Sequence, residues 1–144
     1  MDTSRYKKTV LVGGCFDLIH YGHIVFLKKA KKQGDYLIVA LESDDNVRKH
    51  KGRNRPIHKQ SERAEMLRSL RMVDKVVELP TLTGYNEYLA FVKKVKPDVI
   101  AVTENDLQIE NKKRQAELVG ANVIVVIPRL ESHSTTNLIE KLGL

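Results

Sequence analysis

The sequence predicts an α/β fold in which helices cover both faces of a Rossmann-like, doubly wound sheet of five parallel strands. Short runs rich in Val, Ile and Leu alternate along the chain with amphipathic segments of helical period. The apolar runs scarcely alternate between polar and apolar residues, as is typical of parallel strands with both faces buried. With 144 residues, the chain is long enough for one such core. We therefore expect residues 1–144 to form a single domain.

The predicted elements follow one another in a regular order. Strands are predicted over 8–13, 36–41, 75–79, 98–102 and 122–127, and helices over 22–33, 61–71, 86–95, 109–119 and 135–142. Ser61 is expected to cap one helix and Gly120 to close another. The basic stretch from Arg48 to Lys59 has neither helical nor strand periodicity. It also contains Gly52 and Pro56, so it is predicted to be a mobile loop. Ligands should bind beyond the carboxyl ends of the strands.

Composition and charge narrow the functional classes. The net charge is +7, with 25 basic against 18 acidic residues, which is compatible with nucleic-acid binding. Aromatic residues for stacking bases make up only 6% of the chain, which favours a triphosphate ligand and no nucleic-acid partner. One cysteine, a start without the pattern of a signal peptide, and no apolar run near ~20 residues predict a cytoplasmic protein with no membrane partner.

Residues 13–23, GGCFDLIHYGH, carry the strongest functional signal. They connect a predicted strand to a predicted helix. Glycines at a strand end let the backbone approach a phosphate, the helix start attracts anions, and two imidazoles three residues apart can face one anion. A His-x-x-His pair alone is also typical of a helix cap or half a metal site, and a single Cys is usually a small buried hydrophobe. Together these features predict phosphoryl chemistry.

The string resembles the signature of the cytidylyltransferase-like nucleotidylyltransferases, a HIGH-type family whose loop reads G-T-F-D-x-x-H-x-G-H. Five residues are in register with it: Phe16, Asp17, His20, Gly22 and His23. Cys15 stands where the family has Thr, which removes a hydroxyl donor but keeps the backbone N–H. The resemblance implies that His20 and His23 are catalytic. It also implies that these two and their neighbours bind the nucleotide: Gly14, Cys15, Phe16, Asp17 and Gly22.

A second basic segment resembles the same family. Lys49, Lys51 and Arg63 look like its Lys-x-Lys and Glu-Arg segments. The resemblance implies that Lys49 and Arg63 bind the triphosphate and that Lys51 takes part in catalysis. Independently of the resemblance, an arginine in the first turn of a helix requires a compensating anion, because the helix end is itself positive.

Two later segments complete the resemblance. Asp106 occupies the place of a Gly-Asp turn that contacts the nucleotide in the family, although Glu104 replaces the glycine. The string from Arg129 to Thr136 resembles the second family signature, R-T-E-G-I-S-T-T, and four residues are implied to bind the nucleotide: Arg129, Ser134, Thr135 and Thr136. Hydroxyl residues at the start of a predicted helix could also serve only as its cap.

The resemblance implies nucleotidyl transfer, in which a phosphomonoester oxygen attacks the α-phosphate of ATP or CTP and pyrophosphate leaves. A Mg²⁺ cofactor bound through phosphate oxygens and water would neutralise the developing charge, and no protein metal site is predicted. The middle of the chain resembles adenylyltransferases that act on heptose phosphates or on FMN, whereas RLESHSTT resembles glycerol-3-phosphate cytidylyltransferases. The implied partners are a nucleoside triphosphate, with ATP slightly favoured, and a small phosphorylated metabolite. A homodimer is also expected.

A binding module without turnover is the rival hypothesis. Such a protein would keep the fold and bind a nucleotide or RNA, and Cys15 and Glu104, which depart from the family signatures, favour it. The intact pair of His20 and His23 favours the enzyme. A metal site built on the two histidines has no neighbouring ligand except Asp17, which is better explained as a residue that shapes the loop.

Overall fold

The computed structural model describes residues 8–127, and its elements confirm the predicted alternation. The strands of this part of the chain are β1 (Thr9–Gly14), β2 (Tyr36–Leu41), β3 (Lys75–Glu78), β4 (Val99–Thr103) and β5 (Asn122–Ile127). Its helices are α1 (Tyr21–Lys31), α2 (Asp44–Lys51), α3 (Gln60–Arg68), α4 (Tyr85–Val95) and α5 (Ile109–Val119). The helix predicted over 135–142 lies outside the described residues.

The five strands form one parallel sheet in the order β3-β2-β1-β4-β5, which confirms the predicted doubly wound topology. β1 lies at the centre and pairs with β2 along its whole length, from Thr9 opposite Tyr36 to Gly14 opposite Leu41. The chain continues from β1 to one side and later returns to β4 on the other. The carboxyl ends of β1 and β4 therefore flank the topological switch point, where this type of sheet binds ligands.

Both faces of the sheet are buried, which explains why the strands contain so few polar residues. On one face, Leu27 of α1 and Leu67 of α3 are fully buried against the strands. On the other face, Val95 of α4 and Ala116 of α5 fill the same role. No helix within residues 8–127 is long and apolar enough to cross a bilayer.

The prediction of a mobile loop over 48–59 is wrong in its first part, because residues 48–51 form the last turn of α2. Ser43 caps this helix by accepting a hydrogen bond from the Asn46 N–H at 3.2 Å. Acidic residues stand in its first turn and basic residues in its last, and both arrangements match the helix dipole. The helix carries no apolar stripe, since Val47 is its one buried apolar residue. It ends at Gly52, whose φ is 110°.

Two predicted helix ends had different outcomes. Ser61 lies inside α3 rather than at its cap, because the helix begins one residue before it. The cap is Lys59, whose backbone N–H donates to the Glu62 carboxylate at 3.2 Å. Gly120 does close α5, as predicted, in the left-handed conformation with a φ of 74°.

Candidate active site

A cavity of about 860 Å³ lies beyond the carboxyl ends of the central strands. It is lined by residues 13–23 (the signature loop), by the end of α2 and by the segments that lead into α4 and α5. It brings together most of the residues predicted for the site: Gly14, Cys15, Phe16, Asp17, His20, Gly22, His23, Lys49, Lys51 and Asp106. Arg63 does not line it. The remaining four predicted residues lie outside the described part of the chain: Arg129, Ser134, Thr135 and Thr136.

The signature loop follows an unusual backbone path. Phe16 and Leu18 have φ values of 47° and 51°, in the left-handed region. For residues with a side chain, this conformation costs about 1–2 kcal/mol each. The Phe16 ring is buried and folds back over Gly14, where a Cβ atom would lie 2.9 Å from the ring. Gly14 is therefore needed so that this ring can pack, a role that the sequence did not indicate.

Asp17 ties the loop to the segment before α3. It is 1% exposed, and its carboxylate accepts hydrogen bonds from Arg55 Nε at 2.9 Å and from the backbone N–H groups of Ile57 and His58 at 2.8 and 3.1 Å. Burial raises the pKa of Asp17, but these three donors outweigh it and the pKa is lowered overall. Asp17 was predicted to bind the nucleotide, yet its oxygens are engaged by protein donors.

Arg63 lies beneath the loop and is fully buried. Its guanidinium donates to the Cys15 carbonyl at 2.6 Å, the His58 carbonyl at 2.9 Å and Asp44 Oδ1 at 2.7 Å. The compensating anion expected beside this arginine is thus Asp44 of the protein. The prediction that Arg63 contacts the triphosphate is not supported, because its donors face the protein. The structure makes it a support for the signature loop.

The two histidines form the start of α1. His20 Nδ1 accepts a hydrogen bond from the Gly22 N–H at 3.0 Å, and His23 Nδ1 accepts one from the His20 N–H at 3.2 Å. Each imidazole therefore caps the helix, as the structural alternative predicted. These contacts select the neutral tautomer with its proton on Nε2. Nε2 is consequently the ring atom that can donate to a phosphate oxygen.

His23 is held in its neutral form. Burial first, and then the neighbouring His20 and Lys51, lower its pKa to about 3, although Asp17 opposes them. The two imidazoles are stacked, with ring centroids 4.0 Å apart and an angle of 29° between the planes. The tilted ring of Phe16 lies 5.3 Å from the His23 ring. His23 can thus act as a hydrogen-bond donor at neutral pH without carrying charge.

The cations of the cavity come from the last turn of α2. Lys49 and Lys51 are exposed, and neither forms an ion pair with any residue in the range 8–127. Both line the cavity on the side of the signature loop. Cys15 lies near Lys51, and burial raises the pKa of its thiol, so that this side chain stays protonated. An anion entering here would meet two lysines and a neutral thiol.

Asp106 lies at the opposite side of the cavity, after β4. Its carboxylate accepts hydrogen bonds from Lys112 Nζ at 2.5 Å and from the Gln108 N–H at 2.8 Å. Glu104, which replaces the family's glycine, does not line the cavity, and its backbone N–H donates to the Ile127 carbonyl at 3.2 Å. The turn therefore presents Asp106 to the cavity and Glu104 to solvent.

Sequence reasoning missed a polar network on the wall of the cavity. The Tyr88 hydroxyl donates to the Glu42 carboxylate, with oxygens at 2.8 and 3.0 Å, and Asn46 Nδ2 donates to the Tyr88 oxygen at 3.3 Å. Burial and the adjacent carboxylate raise the pKa of Tyr88. One signal could have pointed to Glu42: it follows β2 directly, at the edge of the sheet where ligands bind.

Beneath α4 the cavity is apolar. Its wall there consists of aliphatic and aromatic side chains from the second core cluster and its neighbours: Leu79, Leu82, Phe91, Val92 and Ile100. The cavity thus has a cationic side, at the signature loop and α2, and an apolar side, between the sheet and α4.

Within residues 8–127, no three His, Cys, Asp or Glu side chains are grouped so that they could hold a metal ion. Two of the carboxylates at the cavity are already engaged, Asp17 by Arg55 and Asp106 by Lys112. The donors on the cationic side are lysine and imidazole groups, which suit phosphate oxygens rather than a bare cation. A divalent ion would therefore have to bring oxygen ligands from the nucleotide and from water.

A doubly wound parallel sheet, a His-x-Gly-His turn at its switch point and a lysine pair beside it define a nucleotidyltransferase, and the chain is an enzyme of this class. The family model described as cytidylyltransferase-like matches residues 11–141. The chain belongs to the cytidylyltransferase-like family.

Individual relatives agree with this assignment. The chain is 42% identical to a protein named FAD synthase from Pyrococcus horikoshii, over 96% of this chain and 95% of that protein. It is 41% identical to the bifunctional protein HldE of Helicobacter hepaticus over 96% of this chain, but it spans only 27% of HldE. A lipopolysaccharide core biosynthesis protein from Thermoplasma volcanium has a similar structure, with a TM-score of 0.65 and 30% identity, covering 85% of this chain and 95% of that one.

Proposed function

We propose that this enzyme transfers AMP from ATP to FMN, forming FAD and releasing pyrophosphate. The observation that carries the proposal is the match to a protein named FAD synthase over 96% of this chain and 95% of that protein. The cavity fits this activity, because its cationic side with two imidazoles suits a polyphosphate and its apolar side suits a flat aromatic ring. The FAD synthase of similar length supports the same acceptor.

On the cationic side, His20 and His23 donate from Nε2 to oxygens of the α- and β-phosphates. Lys49 and Lys51 hold the rest of the polyphosphate and the leaving pyrophosphate. A phosphate oxygen of FMN attacks the α-phosphorus, the bond from that phosphorus to the bridging oxygen breaks, and pyrophosphate leaves with that oxygen. Negative charge builds up on the transferred and leaving groups, so positioned donors stabilise the transition state more than the ground state. No protein nucleophile is required.

We propose Mg²⁺ as the cofactor of this enzyme. Bound through phosphate oxygens and water, such an ion would neutralise part of the triphosphate charge. The residues of this chain have separate roles: the two lysines bind the polyphosphate, and the two imidazoles orient the α- and β-phosphates. The nucleotide contacts predicted for Asp106, Arg129, Ser134, Thr135 and Thr136 are likewise part of the proposal, as is a homodimer.

The buried groups under the loop have a positioning role. The loop contains two left-handed residues, so it keeps its shape only if the surrounding structure holds it. Asp17 with Arg55 holds one point of the loop, and Arg63 holds the carbonyl of Cys15. These contacts fix the direction in which the imidazoles and the backbone N–H groups face the cavity. We propose that such preorganisation supplies much of the catalysis.

Pyrophosphate release tests the proposal. The purified protein is incubated with Mg²⁺ and ATP or CTP, together with FMN, a heptose phosphate or glycerol 3-phosphate. We expect release with ATP and FMN and the appearance of FAD, and loss of both in His23→Ala. Turnover with only a sugar phosphate would contradict the acceptor assignment. No release with any pair, together with RNA binding at ~0.15 M salt that weakens steeply as salt increases, would instead support the binding module.

A further inference from the structure

One carboxylate on the wall of the cavity has no counter-charge among residues 8–127. Three acidic side chains from the described part of the chain line the cavity: Asp17, Glu42 and Asp106. Asp17 is paired with Arg55, and Asp106 with Lys112. No lysine or arginine within residues 8–127 forms an ion pair with Glu42. The charge of this carboxylate is thus directed into the cavity.

Neutral donors hold Glu42 in place. The Tyr88 hydroxyl shares its one proton between the two carboxylate oxygens, at 2.8 and 3.0 Å. Asn46 holds Tyr88 in turn, and its Nδ2 also donates to the Leu82 carbonyl at 3.0 Å. The Glu42 backbone N–H donates to the Gly14 carbonyl at 3.0 Å, which connects it to the signature loop. Asn46 Nδ2 also donates to Glu42 Oε1, at 3.5 Å. Because an ionised carboxylate can accept about four hydrogen bonds, roughly half of its capacity is still available to a ligand.

The charge decides which ligand groups can lie opposite Glu42. A phosphate there would meet an uncompensated negative charge in a partly buried setting, where repulsion is stronger than in water. A ligand hydroxyl would instead donate to the carboxylate, forming a charge-assisted hydrogen bond. The phosphate of the acceptor therefore belongs near Lys49 and Lys51, and its hydroxyl groups belong near Glu42.

We propose that Glu42 selects the acceptor by accepting hydrogen bonds from hydroxyl groups that lie between its phosphate and its aromatic ring. Tyr88 and Asn46 are positioning residues for this carboxylate. The inference rests on the proposed function and specifies its substrate class: a phosphomonoester that carries hydroxyl groups on the linker to the ring. A site built to bind a hydroxyl discriminates against an analogue without it, because its own polar group is left unpaired.

The test compares FMN with a phosphopentyl flavin analogue, which keeps the ring and the phosphate but lacks the hydroxyl groups of the side chain. We expect the wild type to favour FMN in kcat/KM by at least ~10-fold, the size of a charge-assisted hydrogen bond. Glu42→Gln should reduce this preference by raising the KM for FMN, with the KM for ATP unchanged. Glu78→Gln is the matched control, since it removes a carboxylate at the end of β3 outside the cavity.

A second variant removes the carboxylate and its hydroxyl donor together, while Asn46 Nδ2 keeps the Leu82 carbonyl as an acceptor. Glu42→Met combined with Tyr88→Phe deletes the acceptor and its donor together, a change that folded proteins tolerate better than the loss of one partner. We expect this variant to keep the melting temperature and the KM for ATP and to lose the preference for FMN completely.

The outcomes separate the inference from the proposed function. If the wild type turns over neither flavin, the proposed function fails and the inference fails with it. If the wild type makes FAD and both Glu42 variants keep its preference for hydroxyl groups, only the inference is overturned. A changed Mg²⁺ dependence in Glu42→Gln with an unchanged KM for FMN would also overturn it, since the carboxylate would then act on the metal.

Discussion

Two groups of cations surround the signature loop, and they differ in what they contact. Arg55 and Arg63 are 6% and 0% exposed, and their donors engage protein oxygens. Lys49 and Lys51 are exposed at the end of α2 and line the cavity. Arg63 supports the loop from below and Arg55 holds it through Asp17 at the cavity wall, whereas the lysines are available to the ligand. Residue type alone does not separate these roles, but burial and partners do.

The largest expected effect comes from removing a buried cation. Arg63→Ala leaves the Cys15 and His58 carbonyls without their donor and Asp44 without its cation. Asp44 is partly exposed, so the main cost is the loss of the buried donors, and we expect the free energy of unfolding to fall by about 3 kcal/mol. Denaturant unfolding should show this loss, and Arg63→Lys should not restore it, because an ammonium cannot reproduce the forked geometry.

Arg68→Ala is the matched control for this variant. Arg68 lies on the same helix, is exposed, and meets Glu78 at 3.4 Å, so we expect a change below about 1 kcal/mol. If Arg63→Ala kept full stability but bound ATP weakly, the two groups of cations would have the same role, and the comparison would fail.

The imidazoles come next in size. His20→Ala and His23→Ala should each lower kcat by ~10²-fold or more with a smaller change in the KM for nucleotide, because the rings act mainly in the transition state. Steady-state kinetics measures both parameters. Each ring also caps α1, so the melting temperature should fall slightly. Unchanged turnover in both variants would remove the histidines from the mechanism.

The lysines should affect binding more than folding. Lys49→Ala and Lys51→Ala should each weaken ATP binding by about 1–3 kcal/mol, the range for charge-assisted contacts. Because both lysines lie in the last turn of α2, the melting temperature should fall only slightly, by the loss of about 0.3–1 kcal/mol of helix-dipole stabilisation. Isothermal calorimetry measures the affinity. Lys28→Ala removes an exposed lysine outside the cavity and controls for the loss of overall charge. Equal affinity in all three variants would show that α2 does not hold the triphosphate.

The smallest expected effect is a dependence of stability on pH. Because the pKa of His23 is lowered from 6.5 to about 3, the unfolded chain binds a proton that the folded chain does not, in the interval between these values. The contribution of neutral His23 to the free energy of unfolding is fully present above pH 6.5 and is lost as the pH falls towards 3. Between pH 7 and 5.5 we expect a loss of about 1 kcal/mol. Denaturant unfolding of the ligand-free protein at several pH values measures this loss. In His23→Gln, the free energy of unfolding should change less with pH.

The sequence was sufficient to predict the sheet and the residues at the carboxyl ends of its central strands. The apolar runs and the glycine and histidine positions are local signals, and they identified the strands and the signature loop correctly. The helix α2 was missed because its stability depends on caps and charges rather than on an apolar stripe. Arg63 and Glu42 could not be interpreted correctly, because burial and partners come from segments distant in sequence: Asp44 for Arg63, and Tyr88 for Glu42.

The contacts of Asp17 have a consequence for protein engineering. A loop grafted from one relative to another usually carries its own conformation, but the loop described here takes its shape from Arg55, Ile57 and His58. The two segments therefore form one unit of exchange, although about forty positions separate them along the chain. A chimera that receives a foreign stretch 13–23 without the matching stretch 55–58 would have the right motif in the wrong geometry. Recombination within this family should accordingly favour crossovers that keep both stretches from the same parent.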